Sequence, residues 1–126
     1  MRRRHRISRA LLAGALLLPV LPALAQDWVP ARTAKLQALD KVTARVTVLD
    51  APLDRPVRFG SLTITVRACN ARPPDEVPDA AAFLEIADGL APAGSPPAFR
   101  GWLLANAPAV HMLEHPVYDI RILECR

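Results

Sequence analysis

Between Pro108 and Cys125 the chain gathers its most versatile side chains: His111, Glu114, His115, Tyr118 and Asp119 fall within one short stretch. The run His111-Met-Leu-Glu-His115 has the His-x-x-Glu-His spacing of inverted zinc proteases. On a helix, two histidines four apart share a face and hold Zn²⁺ while the glutamate acts on the metal-bound water. That chemistry needs the helix. Pro108 and Pro116 bracket the run and leave barely two turns, and Pro116 biases His115 itself away from helical geometry. Beyond them only Asp119 or Glu124 could serve as a third ligand, so His111 and His115 are the sole metal candidates and no metal or cofactor is expected. The competing chemistry is a polar corner in which Glu114, His115, Tyr118 and Asp119 either satisfy loop backbone groups or bind a ligand. Trp102, beside Gly101, is a further candidate binding residue whose first expectation is packing. No nucleophile motif and no phosphate loop is present. The expected function is therefore a non-catalytic module, with a small hydrolase or ligand-binding protein using His111–Asp119 as the alternative.

What must position these residues is a chain of short strands. Val42, Ala44, Val46 and Val48 alternate with polar residues and predict a half-buried strand. From Val57 to Cys69 the apolar positions are first odd (Val57, Phe59) and then even (Leu62, Ile64, Val66). The parity flips at Gly60, which predicts a β-bulge or bend there. Residues 82–87, 99–105 and 117–125 are further strands, and the proline-rich runs 70–78 and 89–97 are loops. Residues 34–39 could form one helical turn within a lead-in covering 26–38. The sum is an all-β domain over 39–126, a small antiparallel sandwich or barrel of about five to seven short strands.

The first 25 residues are of another kind. Five of the 16 Lys and Arg lie in the first nine positions, and the remaining 11 face 12 Asp and Glu. The net charge of +4 thus belongs to a leader, the body is near neutral, and a nucleic-acid partner is not expected. Arg2–Arg9, the apolar run Ala10–Leu18 and the small residues Ala23 and Ala25 make a secretory signal helix, cut between Ala25 and Gln26. Ala10–Ala25 is shorter than the roughly 20 residues a membrane span needs and contains two prolines. The expectation is a periplasmic protein with no membrane span after cleavage, whose partner is an envelope protein or wall component.

Several blocks are distinctive in combination: Leu39-Asp-Lys-Val-Thr-Ala-Arg-Val46, Phe59-Gly-Ser-Leu62, Ala68-Cys69, Arg72-Pro73-Pro74, Phe99-Arg-Gly-Trp102 and Glu114-His-Pro-Val-Tyr-Asp119. In this order they resemble a bacterial family catalogued as domain of unknown function 2155, exported proteins of alphaproteobacteria, over roughly residues 39–125. The resemblance implies export and paired cysteines, and no activity. Leu103-Leu104 and His111 depart from the family's pattern.

Cys69 and Cys125 would meet an oxidant in the exported protein, and an even pair then reads as a disulfide rather than as free thiols or half a zinc site. Both occupy odd positions in strands whose core-facing residues are even. In regular strands both would point away from the core.

Overall fold

A computed structural model describes residues 14, 16–21 and 27–126. The expected cleavage site at Ala25 and Gln26 and most of the expected leader helix lie outside these, and residues 16–21 carry no regular secondary structure. The rest folds into eight strands: β1 (Val29–Pro30), β2 (Thr33–Asp40), β3 (Arg45–Pro52), β4 (Val57–Phe59), β5 (Leu62–Ala71), β6 (Ala80–Asp88), β7 (Phe99–Leu104) and β8 (Tyr118–Cys125). Every pairing is antiparallel. One sheet runs β5-β6-β7, with β1 and β4 pairing the other side of β5, and the second runs β3-β2-β8. Leu36 of β2 and Ile120 and Ile122 of β8 face Leu62, Ile64 and Val66 of β5 and Leu84 and Ile86 of β6 in one buried core. This is the antiparallel sandwich that strand patterning predicts, with one more strand than the upper expectation. Among the described residues no helix is long and apolar enough to cross a membrane.

Three local expectations need correction. Residues 34–39 are not a helical turn but the middle of β2, the central strand of the second sheet, and paired strand begins as early as Val29. Ala, Leu, Lys and Gln favour a helix by propensity, but flanking β3 and β8 give this segment two ladders, and tertiary pairing wins. Val42 and Ala44 belong to the β2–β3 turn. There Asp40 accepts hydrogen bonds from the backbone N–H of Val42 (2.9 Å) and Thr43 (3.2 Å), and Ala44 takes a left-handed φ of 56°. Those bonds, that from Thr43 foremost, hold the Asp40 carboxyl below its ordinary pKa. Val46 and Val48 lie opposite Leu39 and Gln37 on the outer face, whereas Leu49 and Ala51 lie opposite buried Leu36 and Ala34. Direct cross-strand partners share a face, so the inward set of β3 is odd.

The third correction is at Gly60. Phe59 pairs with Leu62, so Gly60 and Ser61 are the two loop residues of a tight β4–β5 hairpin rather than a bulge in one long strand. Positive φ at Gly60 (57°) and not at Ser61 is the signature of a type II′ turn. The parity flip in the sequence is this reversal of direction.

True bulges occur elsewhere, and they decide the fate of both cysteines. In β5, Val66 pairs with Leu84 and Ala68 with Phe83, leaving Arg67 unmatched. In β8, Ile122 pairs with Leu36 and Glu124 with Lys35, leaving Leu123 unmatched. Each extra residue reverses the parity of the rest of its strand. Cys69 and Cys125 therefore turn into the core, 2% and 8% exposed, instead of pointing away from it. They form a disulfide joining β5 of one sheet to β8 of the other, with Cα atoms 5.5 Å apart. Packed sheets normally lie about 10 Å apart, so the two converge here. Small residues permit it: along β6 the inward series Ile86, Leu84, Ala82, Ala80 shrinks toward the bridge, and Ala34 of β2 stands opposite Cys125.

Candidate functional site

His115 sits where the chain turns into β8, at the wide end of the sandwich. Its Nδ1 accepts hydrogen bonds from the backbone N–H of Val117 (3.0 Å) and Tyr118 (3.2 Å). With Nδ1 accepting, the ring proton is on Nε2, which donates to Asp88 Oδ2 at 2.9 Å. Asp88 ends β6, and its other oxygen accepts the backbone N–H of Leu90 at 3.0 Å. The His115 hydrogen bond is the main cause that lowers the Asp88 pKa to about 2, followed by the Leu90 N–H and the Ser61 hydroxyl. The Lys41 ammonium donates to the His115 carbonyl at 2.6 Å, and the backbone N–H of Gly89 donates to Ser61 O at 2.8 Å. His115 and Asp88, by side chain and backbone together, thus tie the end of β2, the β4–β5 hairpin, the end of β6 and the start of β8.

Tyr118 completes the cluster by packing. Its ring stacks on His115 (centroids 5.2 Å, planes at 29°) and meets the edge of Phe59 at 5.4 Å. It also lies directly against Gly60, in the space a Cβ would need. Glycine at that position is required twice, by its φ and by the tyrosine.

The other candidates separate. His111 and Glu114 are exposed, and residues 105–117 contain no helix, so the spacing of the zinc proteases is not realised as a shared face. Both His115 ring nitrogens are already engaged. Among the described residues no group of three or more His, Cys, Asp or Glu side chains is placed to hold a metal ion. The inward residue of the run is Leu113, 2% exposed, which anchors the loop to the core. Asp119 is drawn outward to Arg121 at 3.3 Å. Trp102 lies on the far sheet, 40% exposed and edge-to-face with Phe83. Sequence reasoning missed Asp88, Lys41 and Leu113. Asp88-Gly89 is legible as a turn, but nothing in the chain ties it to a histidine 27 residues away.

The arrangement is that of an antiparallel β-sandwich closed by a buried disulfide at one end and a histidine–carboxylate latch at the other. The chain belongs to the family described as Uncharacterized protein conserved in bacteria (DUF2155), whose model matches residues 34–125. The match begins at β2, so the family's pattern includes the strand that composition disguises as a helix. No curated protein and no solved structure matches the chain.

Proposed function

We propose that this protein is a non-catalytic module of the periplasmic cell envelope that binds a protein or wall component. The observation that carries the reading is the engagement of His115. Its nitrogens hold the β8 corner and Asp88, leaving neither as a base or a ligand, so the richest polar cluster of the sequence serves architecture. Support for the location comes from the leader, with its basic start, apolar run and Ala23-Leu-Ala25 site. A disulfide between two strands agrees with an oxidising compartment. The test joins fractionation to crosslinking. Protein recovered from the periplasm should have an intact mass that lacks residues 1–25, and crosslinking in cells should join it to one envelope protein or to the wall. A full-length protein recovered from the cytoplasm would overturn the reading.

A further inference from the structure

The chain has two tryptophans, and both border the same shallow groove on the outer face of the first sheet. Asn70, Ala81 and Leu104 lie side by side across β5, β6 and β7. Trp102 is two residues from Leu104 on the same face of β7, and Trp28 immediately precedes β1 on the far side of β5. These five residues line a volume of about 360 Å³. Each indole has a packing partner: Phe83, directly across from Trp102 on β6, meets it edge-on at 5.5 Å, and the Arg72 guanidinium lies 3.8 Å over the Trp28 ring. Ala81 faces outward yet is only 7% exposed, so it forms a small, sheltered floor between larger side chains.

The β5–β6 loop abuts one end of this groove. Arg72, Asp75, Glu76 and Asp79 surround a polar hollow there. Asp79 is occupied by the backbone N–H groups of Ala80 and Asn106. Asp75 and Glu76 make no ion pair among the described residues. An apolar trough with a single amide, beside a loop hollow in which three carboxylates (Asp75, Glu76 and Asp79) outnumber the one cation, Arg72, defines its occupant by complementarity. A glycan would leave ring hydroxyls over Ala81 and Leu104 without partners, at a desolvation cost. A polyproline-type peptide lays aliphatic ring faces on the indoles, loses little entropy because its backbone is preset, and needs few hydrogen bonds, which Asn70 can supply. The carboxylates favour Arg or Lys beyond the prolines.

We propose that the Trp28–Trp102 groove binds a proline-rich, basic segment of a partner protein. The inference rests on the reading of the chain as a binding module and specifies its surface and ligand chemistry.

Because both tryptophans lie in the groove, tryptophan emission excited beyond the absorption of the single tyrosine reports on it alone. Three probes are titrated into the whole protein: a twelve-residue proline-leucine peptide ending in two arginines, the same peptide ending in two glutamates, and a chitin tetrasaccharide. The arginine peptide should shift the emission and saturate, and the glutamate peptide should bind at least about tenfold more weakly, a difference of ~1.4 kcal/mol. By calorimetry, Trp102→Ala should weaken the arginine peptide by about tenfold or more. The exposed-loop double variant Asp75→Asn/Glu76→Gln, whose melting temperature should be unchanged, should abolish the preference for arginine over glutamate. Tighter binding of the tetrasaccharide, equal binding of the two peptides, or saturation by none of the three overturns the proposal. Envelope crosslinking that persists undiminished in Trp102→Ala overturns it while leaving the binding-module reading intact.

Discussion

At the scale of single residues, the most consequential interaction is the one between His115 and Asp88. A neutral imidazole that donates to an ionised carboxylate and accepts two backbone N–H groups has no capacity left, and that completeness makes it costly to disturb. His115→Ala leaves the Val117 and Tyr118 amides and the Asp88 carboxylate short of a partner. Thermal melts should show a loss of ~1–3 kcal/mol for this change. Asn at the same position places a carbonyl oxygen near where Nδ1 was, so His115→Asn should recover part of that loss. Equal melting temperatures for the two variants would mean the backbone bonds contribute nothing. Acid provides an independent check on the carboxylate. The folded pKa of Asp88, about 2, lies below its ordinary 3.8. Its stabilising contribution is therefore present above pH 3.8 and is lost as pH falls toward 2. Asp88→Asn should lower the melting temperature at neutral pH and flatten its decline between pH 4 and 2, and a variant with the wild-type acid profile would rule the latch out.

Elements were legible wherever one strand's own pattern determined its face, and obscured wherever a neighbour did. β5 and β8 carry long side chains in alternation, so Leu62, Ile64, Ile120 and Ile122 announce themselves as core. β2 does not, because two of its three buried residues are alanines, which pack in helices as readily as in the narrow part of a sandwich. β3 has two apolar sets, and only its register against β2 makes Leu49 and Ala51 the inward ones. The corner at His115 was readable as polar and loop-bound from Pro116 and its neighbours, but its partner Asp88 arrives through a fold-level contact with no local signature. Gly60 lies between these cases: its parity flip was visible, whereas the hairpin behind it depends on Phe59 meeting Leu62. The structure gives Gly60→Ala two penalties, ~1–3 kcal/mol for a left-handed backbone and the displacement of Tyr118. Gly60→Ala should therefore lose more stability than the φ penalty alone accounts for. Tyr118→Ala in the same background should relieve part of the excess. Strict additivity of the two changes in a double-mutant cycle would refute the contact.

For the molecule as a whole, the two ends of the sandwich are held by different means, one covalent and one by hydrogen bonds and stacking. The disulfide closes a loop with a sequence separation of 56, which the chain-entropy account values at about 4 kcal/mol. That is a large share of the roughly 5–15 kcal/mol by which domains are stable. Cys125→Ser should lower the melting temperature steeply and free the Cys69 thiol, which titration after denaturation should detect. Wild type denatured without reductant should titrate none, and two thiols per chain would refute the bridge. The same bridge also decides which changes of length its two strands can absorb. In β5 the last inward residue before the cysteine is Val66, and in β8 it is Ile122, each three positions upstream rather than two. Removing Arg67 or Leu123 would take out the bulge and leave the cysteine two positions after Val66 or Ile122 in a regular strand, where it still faces the core. Pairing the full-length strand without its bulge would instead turn the cysteine to the outside of its own sheet. Either strand can thus lose its one extra residue and keep the bridge, and what a strand of the present length must keep is the bulge itself, whichever side chain occupies it.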